Sequence, residues 1–118
     1  MKKILFALAA AAVLAGCGEK DDGIRKFTVG FDADFPPYGY KDGSGYKGFD
    51  LDLAREVCAR KGWKFVANPI NWDAKDMELN SGSIDCIWNG MSVNPSRAEE
   101  MNLSDPYMKN SMVFVVPS

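Results

Sequence analysis

The stretch Asn89-Gly90-Met91-Ser92, followed by Asn94-Pro95 and then Arg97, carries the equipment for holding an anion. Asn94 has the chemistry of a helix N-cap and Pro95 that of a first helical residue, which puts Arg97 at the third helical position. A helix start has partial positive charge and unpaired N–H groups, so that position favours Glu or Gln over a cation. A ligand carboxylate would resolve the conflict. Gly90 lets backbone N–H groups face it, Ser92 offers a hydroxyl, the helix turns its positive end inward, and Arg97 adds a two-pronged fork. The competing reading is local: Asn89-Gly90 is an ordinary turn, and Arg97 pairs with Glu100 one turn on.

Three more side chains could reach a ligand at this place. Phe35 and Trp72 each follow a strand-like run and sit among turn residues, so two flat faces could sandwich an apolar or cationic side chain. For a lone aromatic, core packing is the favoured competing reading. Asp32 ends its run and could meet a ligand ammonium or cap its own loop. Asp50 and Asp52 read as helix N-terminal acids that complement the dipole, with no nucleophile or base beside them to make a catalytic pair. No catalytic residue is assigned.

Composition removes several function classes. The chain has no histidine, which excludes a histidine triad, a His-ligated metal and a His proton shuttle. Beyond Cys17, only Cys58 and Cys86 remain, too few for a zinc site or a disulfide scaffold. Both fall on apolar faces and read as buried free thiols. The formal charge of −2 gives nucleic acid nothing to bind. No cofactor or metal is expected.

The elements that must position these groups follow from periodicity and punctuation. Residues 24–32 alternate and read as a strand. Pro36-Pro37 then forbids helix, and Asp42-Gly43 marks a tight turn in a hairpin-like loop. Asp50 is expected to cap a helix to about Arg60, with Leu53, Ala54, Val57 and Cys58 on one face and Gly62 as its stop. Residues 63–70 form the next strand, Asp73 to Asn80 a short helix, and 84–88 a strand apolar on both faces, as in a parallel sheet. After the Pro95 helix, residues 111–118 read as a fourth strand. Alternating strands and helices predict a three-layer α/β unit, in which ligands bind beyond the carboxyl ends of the strands. The stretches after the first, second and third strands are those that carry Asp32 and Phe35, Trp72, and the Asn89–Arg97 region.

The start of the chain is of another kind. Residues 1–16 have two lysines, a short apolar run and small residues, which is an export signal too short to span a bilayer. Leu14–Cys17 resembles the bacterial lipobox, in which the cysteine is diacylated, and two acyl chains anchor stably where one is marginal. Cys17 is therefore the expected lipidation site, residues 17–23 a solvated tether, and 24–118 the single folded domain, held outside the cytoplasm.

The ordered set Asp32, Phe35, "GFDLDLA", Trp72, Ser92, Arg97 and "LSDPY" closely resembles the extracellular solute-binding protein family 3, the polar amino-acid-binding proteins of ABC importers. The resemblance implies a periplasmic-binding-protein-like (type II) fold and a free amino acid as ligand. It also implies ABC permease subunits as partners, the membrane as anchor, and a monomer when complete. It places Arg97 on the ligand α-carboxylate with Ser92 and the backbone of Asn89, Gly90 and Met91 helping, Phe35 and Trp72 flanking the side chain, and Asp32 lining the pocket. It implies further that this chain is the first of two lobes, truncated at the hinge with the second lobe absent. Its sheet would then have an exposed edge, and a half-site would bind weakly. A polar or basic L-amino acid fits the Asp32 and aromatic lining. An enzyme on the same fold, a dehydratase or a peptidoglycan-lyase-associated domain, and a sensor ectodomain are the alternatives.

Overall fold

The computed structural model describes residues 22–117. The expected export signal, Cys17 and most of the tether lie outside the described residues. Three strands make the central sheet: β1 (Lys26–Phe31), β5 (Lys64–Pro69) and β6 (Cys86–Ile87), in the order β5-β1-β6. All pairing is parallel, with Lys26 opposite Lys64 and Val29 opposite Cys86. Beyond its two residues β6 is extended by the Trp88 N–H to the Gly30 carbonyl (3.0 Å), and the Asp85 carboxylate accepts from the Thr28 N–H (2.7 Å).

Between β1 and the first helix the loop is more regular than a simple hairpin. β2 (Asp34–Phe35), β3 (Gly39–Asp42) and β4 (Gly45–Lys47) form a small antiparallel sheet, clipped at its tip by Lys47 Nζ and Asp42 Oδ2 at 2.8 Å. Helix α1 (Phe49–Lys61) then crosses the central sheet. Asp50 is not its cap. Gly48 takes that position at φ +138°, and Asp50 is wholly buried in the first turn. A side chain at 48 would strike the Tyr38 carbonyl and come within 2.9 Å of the Gly39 Cα, so close backbone approach, rather than side-chain capping, decides where the helix begins.

The buried stripe of α1 is Leu51, Ala54 and Cys58, while Val57 is exposed and Leu53 half-buried, so the apolar face is rotated from the predicted one. Leu51 and Ala54 close a core with Val29 and Phe31. Gly62 ends the helix as expected, at φ +67° with its N–H on the Ala59 and Cys58 carbonyls. On the other face, Gly30 leaves room that Ile84 and Ile70 fill.

A 3-10 turn (Trp72–Ala74) leads into helix α2 (Lys75–Ser81), and α3 (Pro95–Glu100) follows the loop after β6. The strand expected after the Pro95 helix does not form within the described residues. From Asn102 to Pro117 the chain has neither helix nor strand, and Met112 to Val116 are exposed. Their β-branched composition suits a strand, but propensity stabilises a strand only where a neighbouring strand and an apolar face receive it. Beside this segment a groove of about 1210 Å3 runs past Phe27, Leu53, Val57, Leu79 and Met108.

Candidate functional site

The carboxyl ends of the three parallel strands converge on one cleft of about 230 Å3. Its lining is Asp32, Phe35, Trp72, Asn89, Gly90, Met91, Ser92 and Arg97, so the residues singled out above share one surface. Asp32 is the residue after β1, Trp72 opens the 3-10 turn after β5, and the Asn89–Ser92 loop leaves β6.

The cation is placed by local chemistry. Asn94 Oδ1 accepts from the Arg97 N–H at 2.9 Å and Pro95 fills the first helical position, as predicted. Arg97 has no ion pair with Glu100; Ser96 Oγ instead donates to Glu100 Oε1 at 3.4 Å. The guanidinium turns back, and Nη1 donates to the Ser92 carbonyl at 2.6 Å. At six residues α3 is too short to concentrate much dipole at its start, so the helix end adds little and the fork is left to Arg97 itself.

The loop below the fork is tightly held. Gly90 has φ +60° and lies against the Tyr38 ring, 3.2 Å from where a Cβ would stand. Asn89 is 4 % exposed, with Oδ1 against Gly39 and without a hydrogen-bond partner among the described residues. Its side chain therefore offers the cleft less than its neighbours do. Ser92 Oγ accepts from Asn110 Nδ2 at 2.7 Å.

Each aromatic has one face already occupied. Phe35 stacks on Tyr38 with ring centroids 5.4 Å apart, and Lys75 Nζ stands 5.7 Å from the Trp72 ring centre. Both residues line the cleft. Phe35 is 43 % exposed and Trp72 half-buried, so neither is a core residue. Asp32 uses Oδ1 to accept from the Asp34 N–H at 2.9 Å, which caps its loop and leaves the other oxygen uncommitted.

Behind the loop the buried Asp50 meets the half-exposed Tyr107. The Tyr107 hydroxyl donates to Asp50 Oδ1 at 2.8 Å, and the Tyr107 ring meets Trp88 edge-on at 6.3 Å. Burial raises the Asp50 carboxyl above its ordinary range, opposed by the Tyr107 hydroxyl and the Gly90 backbone N–H. The Tyr107 hydroxyl is raised by burial and then by the Asp50 carboxylate. Tyr38, Lys75 and Asn110 escape a reading of the sequence, because each acts through contacts between separate elements; Tyr107 is visible only within the "LSDPY" motif.

Known proteins share both the sequence and the fold of this chain. Residues 27–118 match the model of bacterial extracellular solute-binding proteins, family 3, and residues 1–17 match the prokaryotic membrane lipoprotein lipid attachment site. The chain is thus a lipid-anchored, extracytoplasmic protein. It is 31% identical over 122 residues to the arginine-binding extracellular protein ArtP of Bacillus subtilis, covering 98% of this chain and 48% of ArtP. It is 36% identical over 114 residues to the probable ABC transporter arginine-binding protein ArtJ of Chlamydia trachomatis, covering 94% of this chain and 44% of that protein. The chain spans about half the length of these relatives. A dehydratase is also similar: cyclohexadienyl dehydratase of Pseudomonas aeruginosa, 30% identical over 88 residues, covering 74% of this chain and 32% of the enzyme.

Among solved structures, a histidine-bound ABC uptake transporter substrate-binding protein from Streptococcus pneumoniae superposes with TM-score 0.68 at 44% identity, over 70% of this chain and 34% of that one. A point mutant of the arginine-bound domain 1 of TmArgBP superposes with TM-score 0.67 at 37% identity, over 70% of this chain and 65% of that one. With a family model spanning all but its first residues, a parallel sheet of matching architecture and a cleft at the sheet's carboxyl end, the chain belongs to the bacterial extracellular solute-binding proteins, family 3.

Proposed function

We propose that this chain supplies an amino-acid-binding lobe of an ABC-type importer, capturing a polar or basic L-amino acid outside the cell for delivery to a membrane permease. The observation that carries the reading is the cleft itself: a guanidinium, a hydroxyl, a carboxylate and two aromatic rings line one space of about 230 Å3. Arg97, the Ser92 hydroxyl and the loop N–H groups suit an α-carboxylate. Phe35 and Trp72 suit the stem of a side chain, and Asp32 suits a positive or hydrogen-bonding tip. The arginine-binding relatives and the arginine-bound form of domain 1 of TmArgBP support both the ligand class and binding by a single lobe.

The test is a chemical-shift titration of residues 18–118 with the twenty L-amino acids at millimolar concentration. Shifts clustered at Gly90, Ser92, Arg97, Phe35 and Trp72 with L-arginine or L-histidine are the expected result. A folded spectrum that moves only with sugars or peptides would overturn it. The dehydratase relative gives an enzymatic reading some support. Against it stands the cleft's chemistry, one carboxylate beside a guanidinium in a chain without histidine, which suits holding a zwitterion better than moving protons.

A further inference from the structure

We propose that the segment from Tyr107 to Asn110 is a clasp that presets the Asn89–Ser92 loop, with Asn110 and Tyr107 as positioning residues for ligand capture. The inference rests on the reading of the cleft as an amino-acid site. Its first observation is the bond from Asn110 Nδ2 to Ser92 Oγ at 2.7 Å. A hydroxyl has one proton to give and two lone pairs to receive with. Asn110 fills one lone pair, so the Ser92 proton is left free to donate into the cleft, and accepting one hydrogen bond strengthens the one it gives. The Ser92 carbonyl is taken at the same time by Arg97 Nη1, so main chain and side chain of Ser92 are both fixed.

The second observation explains why Asn110 is where it is. Residues 102–117 have no helix or strand to place them, so side-chain contacts must. Tyr107 supplies two, its hydroxyl on Asp50 Oδ1 and its ring edge on Trp88, the residue before Asn89. Asp50 is wholly buried, and without the hydroxyl its carboxylate would lose the side-chain donor that holds it there. The clasp therefore has a pin anchored on the buried Asp50 carboxylate and an outer hook on the Ser92 hydroxyl.

The experiment uses the mature chain, with L-arginine as the probe in calorimetric titration and amide hydrogen exchange read without ligand. Asn110→Ala is expected to weaken L-arginine about 5- to 10-fold, the worth of one hydrogen bond. Asn110→Asp keeps the shape but reverses the bond, claiming the Ser92 proton and setting a charge near the ligand carboxylate. It is expected to weaken binding at least ~30-fold while the melting temperature stays within about 2 °C of the parent. Exchange at the amides of residues 90–92 should quicken about tenfold in Asn110→Ala and in Tyr107→Phe, with the β1 amides unchanged. The double variant Asp50→Asn with Tyr107→Phe, which leaves no buried charge behind, should show the same loop effect. Asn110→Asp binding as well as the parent overturns the proposal, and so does unchanged loop exchange in all variants. If the parent binds no amino acid, the binding reading fails, and loop exchange alone decides whether the clasp exists.

Discussion

Arg97 Nη1 donates to the Ser92 carbonyl at 2.6 Å, so the cation best placed to fork a carboxylate also closes the loop that carries its companion hydroxyl. The unusual arginine at the third helical position is thus not spent on Glu100. It holds the rim of the cleft with one nitrogen and has further donors to give.

Arg97→Ala is expected to weaken amino-acid binding by at least ~100-fold, since two charge-assisted hydrogen bonds are worth about 1.5–3 kcal/mol each. The loss of unfolding free energy should stay below about 1 kcal/mol, because the Ser92 bond is exposed. Arg97→Lys should recover little of the affinity, as an ammonium cannot fork. Calorimetric titration beside urea denaturation separates the two quantities. A large stability loss with unchanged affinity would show a structural arginine instead.

The side-chain end of the cleft has a different signature. Asp32 has one uncommitted oxygen, while Phe35 and Trp72 each have a face taken by Tyr38 and Lys75. Asp32→Asn should therefore lower the preference for L-arginine over L-glutamine by about two- to fivefold, the worth of one exposed charge pair. Trp72→Ala should weaken L-arginine and L-glutamine alike, since both carry an aliphatic stem, by about 1–3 kcal/mol of lost packing. Competition titrations with the two amino acids decide this, and an unchanged ratio in Asp32→Asn would remove that residue from recognition.

What could be read from the sequence, and what could not, divides along the range of the interactions. The start of α3 at Asn94-Pro95 and the stop of α1 at Gly62 depend on neighbours within a turn, and both stand where expected. The start of α1 does not, because Gly48 is selected by the Tyr38 carbonyl and the Gly39 backbone across the small sheet. The cleft residues were legible because the ends of parallel strands gather in one place whatever the details of packing. Asn110 was not, since its hydrogen bond spans 18 positions and joins a segment without regular structure. The expected fourth strand had the composition for a sheet but no partner among the described residues to pair with.

Three glycines should differ under the same substitution. At Gly48 a new Cβ meets backbone that cannot yield, at φ +138°, so Gly48→Ala should cost ~3 kcal/mol or more. At Gly90, φ +60° and a ring 3.2 Å away predict about 1–2 kcal/mol together with weakened binding. Gly43, with nothing within 4 Å, should tolerate alanine. Thermal or urea unfolding of the three variants gives the order directly, and a stable Gly48→Ala would mean that the small sheet can shift without loss.

The two thiols give the pH dependence its sign. Cys86 is pushed up to about 12, by burial first and then by Asp85 and Cys58, and Cys58 is raised by burial and by Asp85. Folding therefore favours the neutral thiol more than the unfolded chain does, whose value is near the ordinary 9.0. The stability held by Cys86 is whole below about pH 9 and is lost as pH rises through about 12, the range in which the Tyr107 hydroxyl also resists ionisation. Cys86→Ala should flatten that alkaline loss, at the expense of a small cavity beside Val29. The same burial predicts that iodoacetamide at pH 8 labels Cys58 and Cys86 at least ~100-fold more slowly in the folded chain than in urea, since the thiolate is the reacting form. Mass spectrometry of timed samples measures both rates, and rapid labelling of either thiol in the folded chain would place it outside the core.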